Sequence, residues 1–193
     1  MSINPLNHNQ PDRKEDEVMS SASSQNQNEC VVTKAEEWGT LPMNAKSITV
    51  KACDDYQNEV LDLSRFAELE ALKIGDGCFN YVSKVSVVGL KKLKYVVIGE
   101  KSFQNESNDS ELIVSDCPEL VSLSVGNESF KGFKGFKVSE LTALKTITVG
   151  NDCFKECNLI LKDLKSIESL WIGVNSFEKS RHTVIESEYS ASH

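Results

Sequence analysis

The chain has 193 residues, of which 39% are hydrophobic and 26% are charged, and this is enough for one domain with a hydrophobic core. Its formal net charge of −8 argues against a general affinity for nucleic acid or anionic membranes, which attract clusters of lysine and arginine. No apolar run approaches the roughly 20 residues that a membrane-spanning helix needs, so membrane insertion is not expected.

The first 37 residues differ in composition from the rest of the chain. They are rich in Ser, Asn, Gln, Asp and Glu and have no hydrophobic periodicity, so residues 1–37 are predicted to be a disordered tail. The apolar residues Cys30-Val-Val and Trp38 are interpreted as the beginning of a cap on the domain that follows. Because the first residues contain no apolar run typical of a secretory signal, a cytoplasmic location is expected.

A repeat of about 24 residues occupies the middle of the chain. Each copy has an apolar stretch, then a glycine, then a phenylalanine four residues after the glycine. The copies are LEALKIGDGCF, LKYVVIGEKSF, LVSLSVGNESF, LKTITVGNDCF and IESLWIGVNSF, with glycines at Gly75, Gly99, Gly126, Gly150 and Gly173. A degenerate copy precedes them, with Lys51 in the glycine slot and Asp55 in the phenylalanine slot. Six repeats therefore start at 45, 69, 93, 120, 144 and 167, which indicates a solenoid.

A second motif lies between these blocks and also alternates apolar with other residues. Its copies begin at Leu61, Val85, Leu112, Phe136 and Leu159. Alternation is the pattern of a strand with one buried face, and the spacing of a helix is not found between repeats. A mostly β fold with two strands per repeat is predicted, in which equivalent apolar residues form ladders. We expect each glycine to supply an unusual backbone angle after its strand, and each phenylalanine to fill the turn.

The block IESLWIGVNSF resembles the leucine-rich-repeat signature, with Asn175 in its asparagine slot and Phe177 in its last slot. The IG-x-x-[SC]-F form and the second strand resemble the BspA-like branch of that family. The resemblance covers residues 45–177 and implies a right-handed solenoid of five to six repeats with a parallel sheet on its concave side. In the other repeats the asparagine slot holds Gly77, Lys101, Glu128 and Asp152, so the asparagine ladder of the family is expected to be largely missing.

The solenoid is predicted to cover residues 38–177, including a degenerate N-terminal cap or repeat. Residues 178–193 are predicted to be a polar tail or an incomplete C-terminal cap, with Val184, Ile185 and Tyr189 as apolar anchors. An alternative interpretation is that the sequence stops before the repeats do.

The six cysteines are interpreted mainly as core thiols. Cys78 and Cys153 occupy a slot for a small side chain that is serine in the other repeats, and Cys117 occupies a slot that is otherwise Phe or Leu. Cys153 and Cys157 form a C-x-x-x-C pair, but no second pair or histidine lies near it in the sequence to complete a zinc site. No metal site is predicted, although a disulfide or a metal stays an alternative.

Catalysis is not expected, and neither is a cofactor. The histidines are His8, His182 and His193, all in the predicted tails, whereas a Ser-His-Asp or Cys-His site needs an ordered base beside its nucleophile. The sequence contains no phosphate-binding loop of the G-x-x-x-x-G-K-[ST] type and no dinucleotide-binding G-x-G-x-x-G after a strand. No catalytic residues are predicted.

The candidate binding residues lie on the solvent side of the concave strands. The middle position of each strand points outward and forms one column, and the position two residues earlier forms the next column. The first column contains Thr49, Lys73, Val97, Ser124, Thr148 and Trp171. The second contains Ala71, Tyr95, Ser122, Thr146 and Ser169. Tyr95, Val97 and Trp171 are the large members, although Trp171 packing under the C-terminal tail is an equal alternative.

The predicted function is a non-catalytic module that presents this surface to a protein partner. The loop Gln104–Ser110, where one repeat has three extra residues, is a second possible docking place or simply a tolerated insertion. Two alternatives from other classes stay open: a fragment of a cell-surface adhesin or receptor ectodomain, and a self-associating structural repeat protein. The oligomeric state is not predicted.

Overall fold

The computed structural model describes residues 28–186, and nearly all of its regular structure there is β-strand. The single helix within that range, α1 (Ala35–Trp38), has four residues. The strands are β1 (Glu29–Val32), β2 (Ser47–Val50), β3 (Val60–Asp62), β4 (Ala71–Ile74), β5 (Lys84–Val88), β6 (Tyr95–Ile98), β7 (Glu111–Ser115), β8 (Ser122–Val125), β9 (Gly135–Ser139), β10 (Thr146–Val149), β11 (Asn158–Lys162), β12 (Ser169–Ile172) and β13 (Thr183–Glu186). The prediction of a mostly β fold with little helix is confirmed.

The strands form two parallel sheets, and successive turns of the chain add one strand to each. The seven-stranded sheet, here sheet A, has the order β1-β2-β4-β6-β8-β10-β12. The six-stranded sheet, here sheet B, has the order β3-β5-β7-β9-β11-β13. Equivalent residues pair directly, as Leu72 does with Val96 and Val96 with Leu123. The chain is therefore a parallel β-solenoid of about six turns, with its apolar ladders between the two sheets.

A ladder of aromatic rings fills the core beside the strands. Phe79, Phe103, Phe130 and Phe154 are completely buried, in the turn position that the sequence predicts. The rings of Phe103 and Phe130 stack with centroids 4.5 Å apart, and those of Phe130 and Phe154 with centroids 4.9 Å apart. Stacked rings at such separations add to the free energy gained by removing them from water.

The repeated glycine has a different role from the expected one, and this prediction was wrong. Among residues 28–186, the glycines with positive φ are Gly77 and Gly89, neither of which is the glycine after a sheet A strand. At that position the backbones of successive turns approach closely: a Cβ on Gly126 would lie 2.6 Å from the carbonyl carbon of Gly99. The glycines are needed because a side chain would hold neighbouring turns apart.

After the sheet A strands, positive φ angles occur two and four residues beyond this glycine position. The asparagine slot has φ between 55° and 65° whether it holds Gly77, Lys101, Glu128, Asp152 or Asn175. The five ladder phenylalanines have φ between 49° and 60°. This left-handed conformation costs an L-residue roughly 1–2 kcal/mol. At the phenylalanines the cost is offset because the conformation directs the ring into the core.

The N-terminal end of the solenoid is closed by Trp38 and by β1, which lies within the predicted tail of residues 1–37. Strand β1 pairs with β2, and the ring of Trp38 packs edge-on against Phe66 and Phe79 at 5.8 and 5.5 Å. Cys30-Val-Val lies in β1 and Trp38 ends α1, so residues 28–37 belong to the folded part, and their role as a cap stays an interpretation. Because polar residues lie between these apolar ones, the composition of this segment did not indicate a folded structure. Residues 1–27 of the predicted tail lie outside the described residues.

Two further details differ from the sequence interpretation. The N–H of Phe79 donates to the carbonyl of Cys53, as the N–H of Phe103 does to Cys78, so Cys53 occupies the small-residue slot of the first repeat. In this repeat the glycine slot and the small-residue slot, Lys51 and Cys53, are one residue closer together than in the other repeats. Tyr56, with its ring 5.2 Å from Phe79, extends the aromatic ladder in place of Asp55. Strand β13 lies within the predicted C-terminal tail and pairs with β11. Residues 187–193 lie outside the described residues.

Candidate binding surface

The predicted binding residues lie together on the outer face of sheet A. Strand pairing places the middle residues in one straight row, here the centre row: Thr49, Lys73, Val97, Ser124, Thr148 and Trp171. The first residues of the same strands form the leading row: Ser47, Ala71, Tyr95, Ser122, Thr146 and Ser169. With strands about 4.8 Å apart, the five spacings from Thr49 to Trp171 cover about 24 Å.

Three large side chains in these rows are exposed to solvent. Tyr95 and Val97 lie on the same strand, β6, and keep 50% and 40% of their surface exposed. Trp171 is exposed to a similar extent on β12, at the C-terminal end of the sheet. Trp171 therefore does not pack beneath residues 178–186. Tyr95 and Val97 project further from β6 than the shorter side chains around them, and this pair is here called the apolar step.

The structure adds Val31 to the centre row, which the sequence interpretation had left in the tail. Val31 pairs with Thr49 and is exposed. The alternation of Cys30, Val31 and Val32 matches that of Ile48, Thr49 and Val50, so the signal was present in the sequence. This alternating segment was too short to be recognised as a strand among the polar residues around it.

Small hydroxylated side chains surround the apolar step. The hydroxyl of Thr146 donates to that of Ser122 at 3.1 Å, across neighbouring strands of the leading row. In the centre row the residues after Val97 are Ser124 and Thr148. Because the sheet A strands β2, β4, β6, β8 and β10 pair on both sides, their backbone groups are occupied, and recognition here must use side chains.

Charged residues border the surface just before the strands. The Nζ of Lys94 lies 2.8 Å from the Glu70 carboxylate, and the Nζ of Lys46 lies 3.9 Å from it. The hydrogen bond from Lys94, with the charges of both lysines, lowers the pKa of Glu70, and the same hydrogen bond raises the pKa of Lys94. With Ala71 and Tyr95 these residues line a shallow cavity of about 300 Å³. Tyr95 thus belongs to the apolar step and also lines this polar depression.

The insertion loop Gln104–Ser110 is held in place on the side of sheet B. The amide of Asn105 donates to the carbonyl of Tyr81 at 2.8 Å, and Gln104 donates to the carbonyl of Glu128 at 2.6 Å. Asp109 forms an ion pair of 2.8 Å with Lys84 of β5. The loop therefore does not contribute to the two rows of sheet A.

The cysteines do not form a reactive site. All six are free, and all except the half-buried Cys30 are buried. Burial raises the pKa of the Cys53 and Cys157 thiols to about 12, so neither is a thiolate near neutral pH. Cys153 occupies the small-residue slot and donates its thiol to the carbonyl of Gly126, 3.2 Å away. The interpretation of Cys78, Cys117 and Cys153 as core thiols is confirmed.

The remaining chemistry is sparse within residues 28–186. That part of the chain has no group of three His, Cys, Asp or Glu side chains placed to hold a metal ion. His182 lines a shallow cavity beside sheet B together with Asn158 and Lys137, whereas His8 and His193 lie outside the described residues. No helix in the described range is long and apolar enough to cross a membrane.

Comparison with known proteins returned no matching family model, no matching curated protein and no matching solved structure. The fold is therefore established by strand pairing alone, as a parallel β-solenoid. The leucine-rich-repeat type, the BspA-like branch and the handedness of the coil stay predictions from the repeat pattern.

Proposed function

We propose that this chain is a non-catalytic protein-binding module of the leucine-rich-repeat type. The outer face of sheet A is its concave side, and an extended segment of a partner protein docks along the centre and leading rows. Tyr95 and Val97 are the anchors, because large side chains that lose their water on binding carry most of the energy of an interface. The neighbouring serines and threonines are short enough to let a partner backbone approach the sheet.

This proposal is supported by a difference in charged and apolar side chains between the outer faces of the two sheets. Across sheet B, Lys137 forms an ion pair with Glu111, and Lys162 forms one with Glu186. In the centre row of sheet A, Lys73 is the one charged residue, and two exposed apolar side chains adjoin on β6. The buried centres of protein interfaces are depleted in charge and enriched in aromatic residues, which matches sheet A and not sheet B.

The test is a double variant, Tyr95→Ser with Val97→Glu. The first change copies Ser122 of the next turn, and the second places a carboxylate beside Lys73, so both suit the folded sheet. The control is Val60→Lys, a similarly exposed valine on sheet B. Trp171 is left unchanged because it lies at the end of the solenoid.

Full-length wild type, double variant and control are immobilised, and proteins retained from extracts of the native cells are quantified. We expect a partner that wild type and control retain equally, and whose binding the double variant weakens by at least about tenfold, the equivalent of 1.4 kcal/mol. Equal recovery by all three proteins, or no specific recovery by any, contradicts docking on sheet A. A cytoplasmic location stays a prediction, and cell fractionation tests it.

A further inference from the structure

The last turn of the solenoid leaves residues in core positions exposed. These residues are Ile167, Leu170, Ile172 and Ile185, which are 36%, 40%, 37% and 63% exposed. Their equivalents one turn earlier are Leu144, Ile147, Val149 and Leu161, which are 0%, 1%, 1% and 3% exposed. The side chains are of the same type in both turns. The difference arises because the last turn has no further turn stacked on it within residues 28–186.

The same end presents the free edges of both sheets. Within the described residues, β12 pairs only with β10 and β13 only with β11, so one edge of each strand has backbone donors and acceptors without a strand partner. An exposed edge beside apolar side chains is a template for pairing with another strand.

The opposite end differs, and this restricts how copies can meet. Val32 of the first strand is completely buried, and Trp38 is 5% exposed beneath the N-terminal cap. Stacking of one copy's C-terminal end on another's N-terminal end would therefore require the cap to move. Contact between two C-terminal ends requires no rearrangement of the cap and covers the exposed apolar side chains of both copies, which gives a closed pair with two-fold symmetry.

The charges of the last turn permit such a contact. Residues 163–186 contain three basic side chains, Lys165, Lys179 and Arg181, and four acidic ones, Asp163, Glu168, Glu178 and Glu186. Several are already paired within the chain, such as Glu168 with Lys145 at 2.9 Å and Glu186 with Lys162 at 3.0 Å. Local repulsion is therefore small despite the net charge of −8.

We infer that two copies of this chain associate through their C-terminal ends, with β12 pairing antiparallel to β12 of the second copy and β13 to its own counterpart. Ile167, Leu170, Ile172 and Ile185 form the apolar centre of the interface. Each sheet then continues through the symmetry axis into the second copy. The inference is independent of docking on sheet A, because Tyr95 and Val97 lie three strands away from β12.

The test measures the mass of the full chain by sedimentation equilibrium as a function of concentration. We expect wild type to pass from one to two chains of 21.4 kDa as concentration rises, with no larger species. Ile185→Lys places like charges opposite each other across the two-fold axis and should raise the dimer dissociation constant by at least about tenfold. The control Val60→Lys, and the Tyr95→Ser/Val97→Glu variant, should dimerise as wild type does.

Wild type that stays monomeric overturns the inference, as does growth into species larger than a dimer. If wild type is monomeric but a chain without residues 187–193 dimerises, those residues are what covers the C-terminal end. If Ile185→Lys does not fold, amide hydrogen exchange on wild type replaces it. Protection of β12 and β13 should then rise with protein concentration while that of β3 does not, and equal behaviour of the three strands overturns the inference.

Discussion

At the residue scale, two kinds of position in the repeat have opposite requirements. The glycine slot needs the absence of a side chain, because the backbone of the preceding turn lies against it. The asparagine slot needs a left-handed backbone but has room, since a Cβ on Gly77 would have no atom within 4 Å. This explains why the glycine is kept in five successive turns while the asparagine slot accepts Gly, Lys, Glu, Asp and Asn.

The first prediction compares one substitution in each slot. Gly126→Ala should lower the free energy of unfolding by about 1–3 kcal/mol, because its methyl group must push apart two backbone segments. Gly77→Asn should change it by less than about 0.5 kcal/mol, because asparagine tolerates the left-handed region better than other side chains. Urea unfolding followed by circular dichroism measures both. Comparable losses of stability in the two variants would show that the glycine is not required for the close approach of neighbouring turns.

At the element scale, hydroxyl groups in the small-residue slot, one position after the asparagine slot, connect neighbouring turns. The Oγ of Ser129 donates to the carbonyl of Gly99 at 2.8 Å and accepts from the N–H of Ser102 at 3.1 Å. Ser102 and Ser176 make the equivalent bonds to the turns before them. Each serine thus satisfies one donor and one acceptor of the preceding turn. A cysteine serves in the same slot at Cys78 and Cys153.

The second prediction follows from this hydroxyl ladder. Ser129→Ala should destabilise the fold by about 1–3 kcal/mol, because the buried N–H of Ser102 and the carbonyl of Gly99 both lose their bond to the hydroxyl. Ser129→Cys should cost clearly less, since the thiol of Cys153 already donates in the next turn. Thermal unfolding under reducing conditions ranks the two variants against wild type. If alanine is tolerated as well as cysteine, the serine serves only as a small side chain.

At the scale of the whole molecule, one continuous core extends through all turns, and five cysteines are buried in it. Desolvation raises the pKa of their thiols, from 9.0 to about 12 for Cys53 and Cys157. The folded state therefore keeps protons that the unfolded chain loses at lower pH. The stability due to these thiols is complete below about pH 9 and is lost as pH rises through the folded-state pKa.

The third prediction is that the free energy of unfolding falls above about pH 9, by up to about 1.4 kcal/mol per pH unit for each strongly shifted thiol. Lysines with a raised pKa, such as Lys92 and Lys94, add a loss of the same sign. Cys157→Ala isolates the thiol contribution, because it should reduce the slope and leave the lysines unchanged. Urea titrations with a reductant at about pH 8, 9 and 10 measure the slopes. Equal slopes for wild type and variant contradict the assignment.

Local pattern determined a large part of this protein. The alternation in LEALKIG and its copies fixed which side chains face inward, because side chains of a strand alternate between two faces. The near-constant period placed equivalent strands beside each other, so the rows containing Thr49, Val97 and Trp171 were predictable in composition and order. The slot shared by Cys78 and Ser102 likewise identified core thiols without any structure.

Tertiary structure alone decided what depends on contacts between turns. The clash that keeps Gly126 a glycine, and the bonds of Ser129, join atoms 26 or more residues apart in the chain, and the period does not say which atoms meet. The repeat pattern predicts neither the cap at Trp38 nor the exposed end at Ile185. The exposure of a turn depends on what is stacked on it and not on the residues within it. The sequence thus determined the faces of each strand, and stacking determined which of those faces meet water.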